Sequence, residues 1–234
     1  MIIDIVTLFP GMFQGVLGES ILRRAQEQGL AKVSLVNLRD FSKDRHKKVD
    51  APPYGGGPGM VIMADPVLDA VDHLRKNGRE ESLVVLLTPG GVRYDQTLCQ
   101  ELSKQKGLIF LCGHYEGFDE RVSQGLSPLE VSIGDYVLTG GEIPAMVLLD
   151  SVVRQIPGVL GSAASLAQES FTGGGLEYPQ YTRPPEVRGL PVPTVLLSGD
   201  HKAIAEWRDE KSKERTEQRR PDLPGAVKKT YRQI

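Results

Sequence analysis

Four glycine-rich stretches and a few isolated ionisable groups are the parts of this 234-residue chain that could do chemistry. The stretches are YGGGPGM at 54–60, TPGG at 88–91, GHYEG at 113–117 and SIGDYVLTGGEIP at 132–144. Glycine lets backbone amides and carbonyls come close to a ligand. Three of the stretches directly follow segments that read as strands, and in open α/β sheets ligands collect beyond the carboxyl ends of strands. One such loop alone more often only makes a turn; three together point to a single site. His114 and Glu116 flank Tyr115 inside one of these loops and are candidates to contact a ligand there. Arg154 and Glu169 are ionisable groups in otherwise bland surroundings, and each taken alone reads as surface. The chain has no G-x-G-x-x-G after a strand, no G-x-x-x-x-G-K-[ST], no H-E-x-x-H and no G-x-S-x-G. The common dinucleotide, nucleoside-triphosphate, zinc-protease and acyl-transfer readings therefore lack their working parts.

The elements that must position these loops alternate between short apolar runs and helical patterns, which is the pattern of βα units feeding a largely parallel sheet. Strands are expected over residues 2–8, 32–38, 83–88, 108–112 and 129–133. A helical stretch from Pro10 to Gln28 is stopped by Gly29. A second helix has Asp65 as cap, Pro66 in its first turn, Val67, Leu68, Val71 and Leu74 on one face, and Gly78 at its close. Residues 95–106 read as a crossover helix, and a last one of this part runs near Ile143 to Gln155. Beyond Ile156 the composition turns to Gly, Ala and Ser, as in a flexible linker. Asp200 then caps a helix carrying Ile204 and Trp207. The organisation expected is residues 1–160, a linker over 161–175, and a small, mainly helical domain over 176–234.

With 40% hydrophobic and 25% charged residues, the chain supports a sizeable core, so disorder throughout is excluded. The formal net charge of −2 gives no global basic field. Residues 1–182 carry 16 basic and 22 acidic groups, whereas residues 183–234 carry 12 and 8. That local excess fits either a solvated helix face or phosphate contacts. Cys99 and Cys112 lack the spacing of a zinc site and are too few for a disulfide scaffold, which fits a reducing compartment. No apolar run approaches a membrane span, and Asp4 stands where a signal peptide would be basic. The expected setting is cytoplasmic, without a membrane partner.

Several longer segments carry a resemblance: DIVTLFPGMF near the start, PYGGGPGMV at 53–61, CGHYEGFDER at 112–121, SIGDYVLTGGE at 132–142, DSVVRQIPGVLG at 150–161, YTRP at 181–184 and VLLSGDH at 195–201. In content and order the chain resembles the bacterial TrmD-type tRNA (guanine-N1-)-methyltransferases of the SPOUT class. The resemblance implies an α/β fold with a SPOUT-type parallel sheet, loops tied in a deep trefoil knot, and a small helical C-terminal domain that binds tRNA. It implies transfer of a methyl group from S-adenosyl-L-methionine to N1 of guanine at position 37 of tRNA, by a homodimer in which linker and second domain of one subunit complete the site of the other. The donor would be held by Leu87, Thr88, Pro89, Gly113, Tyr115, Glu116, Ser132, Ile133, Gly134, Asp135, Tyr136, Val137, Leu138, Gly140, Gly141 and Pro144. The tRNA anticodon stem-loop would meet Asp50, Tyr54, Gly55, Gly59, His114, Arg183, Arg188, Lys211 and Arg215. Glu169 and Arg154 match the catalytic roles, base and cation. No protein metal site is expected; Glu116 would contact the target base or, if the family's Mg2+ dependence holds here, a cation near it.

This chain departs from the family's usual pattern at three positions. Glu169 replaces the commoner aspartate, lengthening the base by one methylene; Ala51 removes a second acid beside Asp50; His114 stands where arginine is frequent. A second reading therefore remains, a non-catalytic RNA-binding protein that keeps the pocket only as structure. A third keeps the enzyme and changes its target base.

Overall fold

The computed structural model describes residues 1–161 and 169–225. The chain divides into two compact units, Met1–Gly161 and Ser162–Ile234. In chain order the first contains β1 (Ile2–Thr7), α1 (Gln14–Leu17), α2 (Ser20–Glu27), β2 (Lys32–Asn37), β3 (Asp50–Ala51), β4 (Val61–Ile62) and α3 (Ala64–Leu74). It continues with β5 (Leu83–Arg93), α4 (Gln96–Ser103), β6 (Gly107–Cys112), α5 (Arg121–Leu126), β7 (Leu129–Ser132) and α6 (Glu142–Val153).

Five strands form one parallel sheet in the order β2-β1-β6-β5-β7. The central strand β6 is buried along its whole length, and its side chains alternate between two cores. Leu108, Phe110 and Cys112 face a cluster with Leu102 of α4 and Leu148, Leu149 and Val152 of α6. Ile109 and Leu111 face the other, against Val67, Ala70, Val71 and Leu74 of α3. With both faces covered, the carboxyl edge of the sheet is where loops are free to build a site.

The five expected strands are all present, with differences that matter locally. β5 does not stop at Thr88 but runs on to Arg93, and its register against β7 shifts between Leu87 and Val92. TPGG is thus a bulge inside a strand rather than a loop after one. Gly91 permits this because the backbone of Glu130 and Val131 fills the space where its Cβ would lie. The single helical stretch expected from Pro10 to Gln28 is broken into a 3-10 turn over Pro10–Phe13, then α1 and α2. Gly11, Gly15 and Gly18 weaken it, and Ser20 takes a positive φ of 50° at the break. α3 begins two residues earlier than its sequence signal, with Met63 as N-cap, so Asp65 sits in the first turn instead. There its carboxylate complements the helix dipole rather than capping an amide. The short β3–β4 pair, which brackets the 54–60 turn, had no periodicity to announce it.

In the second unit β8 (Glu186–Val187) and β9 (Leu190–Pro191) form a hairpin, a 3-10 turn covers Thr194–Leu197, and α7 spans His201–Arg219. Asp200 caps α7, accepting from the amides of Lys202 at 3.0 Å and Ala203 at 3.1 Å. The charge-rich KSKERTEQR run is helical to Arg219, with ion pairs Lys213–Asp209 at 2.6 Å and Lys211–Glu214 at 2.7 Å. Part of the expected linker, 162–168, lies outside the described residues. Residues 169–175 form a turn closed by the Phe171 amide on the Gly175 carbonyl at 2.7 Å. The chain just beyond is stitched to α7: the Leu176 amide donates to Thr216 Oγ1 at 2.8 Å, and Ser212 Oγ donates to the Leu176 carbonyl at 2.6 Å.

Candidate active site

At the carboxyl edge of the first unit's sheet lies a cavity of about 360 Å³. Its walls come from the β5 bulge, the loop after β6 and the long loop between β7 and α6. Of the expected donor-binding residues, Leu87, Thr88, Pro89, Gly113, Tyr115, Glu116, Ser132, Ile133, Gly134, Tyr136, Val137, Leu138, Gly140, Gly141 and Pro144 line it, and Asp135 does not. The lining combines apolar Leu87, Ile133 and Leu138 with exposed backbone, as small-molecule pockets commonly do.

The two main loops are joined to each other. The Gly141 amide donates to the Gly113 carbonyl at 2.7 Å, and His114 and Gly140 form an antiparallel bridge. A Cβ on Gly141 would lie 2.8 Å from Cys112 Cα and 2.9 Å from Gly113 N, so only glycine allows this approach. Tyr115 adopts a φ of +60°, uncommon for a residue with a side chain, and it does so in the cavity wall. The Tyr136 ring lies against Gly134, whose φ is 154°.

His114, expected from its loop to contact a ligand and from the resemblance to meet RNA, stands in the cavity lining. Its ring packs edge-on against Phe9 at 4.9 Å and Tyr115 at 4.7 Å, and its Nδ1 is buried with no hydrogen-bond partner. Glu116 is held by its amide on the Met60 carbonyl at 3.0 Å, while its side chain abuts Gly59. The 54–60 turn is thereby docked beside the cavity although it does not line it. Around that turn Asp50 pairs with Ile62 in the β3–β4 ladder, Tyr54 is fully exposed, and Gly55 has a φ of +85°.

Three carboxylates besides Glu116 went unremarked in the sequence. Glu120 and Glu130 line the cavity, and Ser123 Oγ donates to Glu130 at 2.7 Å. Glu142 is 2% exposed and accepts from Thr7 Oγ1 at 2.7 Å. Burial, and secondarily the negative charge of Glu142, push the Cys112 thiol well above its ordinary pKa, so it stays protonated. The only advance signal for Glu142 is its place at the end of SIGDYVLTGGE.

The two expected catalytic groups lie in different units. Arg154 caps the carboxyl end of α6, its amide on the Asp150 carbonyl at 3.2 Å. Its positive charge acts on nearby Cys99, though burial dominates there and raises that thiol's pKa. Glu169 opens the turn in the second unit, its carbonyl accepting from the Thr172 amide at 3.3 Å. Of the remaining RNA candidates, Arg183 and Arg188 are exposed, Lys211 pairs with Glu214, and Arg215 Nη1 donates to the Glu177 carbonyl at 3.5 Å. Among the described residues no helix is long and apolar enough to cross a membrane, and no group of three or more His, Cys, Asp or Glu stands together as a metal site.

Comparison with known proteins bears on the whole chain. A family model described as tRNA (Guanine-1)-methyltransferase TrmD matches residues 1–226. A tRNA (guanine-N(1)-)-methyltransferase of Geobacillus kaustophilus is 56% identical over 223 residues, covering 95% of this chain and 91% of the relative. The same-named proteins of Anoxybacillus flavithermus and of Bacillus cereus strain AH820 are 56% and 54% identical over the same shares. The family model and these relatives together cover nearly all of the chain, which belongs to the tRNA (guanine-1)-methyltransferase family.

Proposed function

We propose that this protein transfers a methyl group from S-adenosyl-L-methionine to N1 of guanine at position 37 of tRNA. The observation that carries this is the glycine-walled cavity at the sheet's carboxyl edge, in a chain that the family model matches from residue 1 to 226. The cavity's residues fit the donor. Bare backbone at Gly113, Gly140 and Gly141 can bond an adenine edge and ribose hydroxyls, while Leu87, Ile133 and Leu138 enclose the ring. Thr88, Pro89, Tyr115, Glu116, Ser132, Gly134, Tyr136, Val137 and Pro144 complete that assignment. Asp135 is left out of it, since it is not part of the lining.

Bound there, the donor supplies a methyl group on a positively charged sulfur. Neutral guanine carries a proton on N1, so the chain must remove it before the N1 electron pair can take the methyl. Glu169 is the acceptor of that proton. Arg154 stabilises the negative charge that spreads onto O6 as the proton leaves. Glu116 is the carboxylate that would hold Mg2+ with oxygens from RNA or water, and no step above depends on such an ion.

The RNA would be followed by Asp50, Tyr54, Gly55 and Gly59 in the first unit and by Arg183, Arg188, Lys211 and Arg215 in the second. Reading one guanine requires that base unstacked, as proteins do in single-stranded loops. The trefoil knot and the homodimer belong to this proposal. Partly exposed Phe9, Met12, Ile143 and Val147 supply apolar surface for a second copy. A cytoplasmic setting fits two free, buried cysteines. Incubation with labelled donor and an unmodified tRNA bearing guanosine at position 37 tests the reading; label must appear in 1-methylguanosine, and its absence refutes it.

A further inference from the structure

Beneath the cavity two runs of contacts start at Phe9, one through Thr7 to Glu142 and one to His114, and the transfer chemistry uses neither. The Phe9 amide donates to Thr7 Oγ1 at 2.9 Å, and that hydroxyl donates to Glu142 Oε1 at 2.7 Å. The other Glu142 oxygen and His114 Nδ1 both lie within 3.0 Å of the point where a Cβ on Gly140 would stand. With the two distances 2.4 and 2.8 Å, the groups are at most 5.2 Å apart. The His114 ring packs on Phe9 at 4.9 Å, so both groups are tied to the end of β1. Thr7 is fully buried and Glu142 is 2% exposed, and no cationic side chain pairs with Glu142 among the described residues. A buried carboxylate so placed is costly unless its oxygens find donors. The buried His114 Nδ1 has none of its own.

We propose that Glu142 and His114 are positioning residues for the methyl donor, a buried carboxylate–imidazole pair that holds the 113–116 and 139–141 loops against the end of β1. The two groups stand side by side with Nδ1 buried and unpartnered, and in the proposed pair Nδ1 donates to the Glu142 carboxylate. Gly140 lacks a side chain because the two groups occupy its Cβ space. The pair also fixes the peptide that leads into Tyr115, whose positive φ shapes the cavity wall. His114 thus serves the donor side of the site and not an RNA phosphate. This rests on the donor occupying the cavity and deepens that reading by naming what holds the cavity's shape.

The test measures S-adenosyl-L-methionine affinity by calorimetry and tRNA affinity by filter binding on the full chain. The variants are Glu142→Gln, His114→Ala, their combination, and Thr7→Val beside Thr7→Ser. Glu142→Gln and His114→Ala are each expected to weaken donor affinity about tenfold, with the donor KM rising and the tRNA affinity unchanged. The double variant should lose little more than either single one, as for two ends of one interaction. Thr7→Ser keeps the hydroxyl and should retain affinity that Thr7→Val loses, which a purely packing role would not produce. The proposal is overturned if His114→Ala leaves donor affinity intact and instead weakens tRNA binding with a shallower salt dependence. It is overturned equally if the single losses add in full. Should the unaltered chain take up no donor at all, the transferase reading itself falls, and the two failures are thereby told apart.

Discussion

The Gly141 amide donates to the Gly113 carbonyl at 2.7 Å, and this bond ties the N-cap of α6 to the exit of the central strand β6. Both walls of the cavity are thus anchored to the most buried strand of the sheet. The approach leaves no room for a side chain, since a Cβ at 141 would lie 2.8 Å from Cys112 Cα. Gly141→Ala is expected to destabilise the protein by about 1–3 kcal/mol, the usual cost of overpacking, and to abolish donor binding. Thermal unfolding and calorimetry on one sample check both; a variant that still binds donor normally would show that the loops can part without loss of the site.

Replacing the proposed base separates chemistry from binding. Glu169→Gln should lower turnover by about 10²–10⁴-fold while leaving the donor's dissociation constant unchanged. Glu169→Asp shortens the arm by one methylene yet keeps a carboxylate, so it should retain most of the rate. Single-turnover methylation of guanosine-37 tRNA measures each, and undiminished turnover in Glu169→Gln would exclude that residue as the proton acceptor.

One ion pair bears on the sheet's integrity rather than on the reaction. Arg79 Nε lies 2.8 Å from Asp4 Oδ2, and the aspartate side chain is 1% exposed in the middle of β1. Arg79→Ala leaves that charge buried and alone, a change that costs about 3–5 kcal/mol in comparable settings. Asp4→Asn combined with Arg79→Ala should recover much of the loss. Urea unfolding of the three proteins decides it, and equal midpoints for all would mean that the pair contributes nothing net.

RNA binding should weaken with salt in proportion to the phosphates met by the second unit's cations. Arg188 stands in the β8–β9 turn with a positive φ of 53° and an exposed side chain. Arg188→Ala should reduce the slope of log affinity against log salt by about one, whereas Lys211→Ala should change it less because Glu214 already engages that ammonium at 2.7 Å. Binding isotherms at several salt concentrations compare them, and identical slopes in Arg188→Ala and the unaltered chain would remove that residue from the interface.

Asp119 offers a pH marker beside the cavity. Hydrogen bonding from Arg121 holds its carboxyl at about 2, below the ordinary value of 3.8. A lowered folded pKa stabilises the protein above the ordinary value, and this stabilisation is lost as pH falls from about 4 through 2. The pair is largely solvated on the arginine side, so the effect on stability is small. Proton titration by NMR should place Asp119 near 2 in the unaltered chain and return it toward the ordinary range in Arg121→Gln.

Much of the framework was legible in the residues. Alternating apolar runs marked all five sheet strands, because a strand buried on both faces must be apolar nearly throughout. Asp200 and Asp95 announced their helices through the cap each makes, Asp95 accepting from the Leu98 amide at 2.9 Å. The glycine-rich stretches and their order located the cavity loops and carried the family resemblance. What could not be read locally was any feature created by distant segments meeting. TPGG looks like a turn until Gly91 meets the backbone of β7 and the strand resumes as a bulge.

Along the chain Glu142 is one more acid, and nothing there links it to Thr7 or His114. Thr7 and Glu142 are 135 positions apart, and the bond between them exists only because β1 and α6 pack together. Local pattern determines which backbone each segment prefers and which face it buries, since those depend on neighbours a few residues away. Burial of a charge and the partner of an imidazole depend on packing between remote elements. The sequence alone therefore specified the sheet, its loops and the family, whereas tertiary structure decided that Asp135 falls outside the cavity and that Glu142 is buried against Thr7.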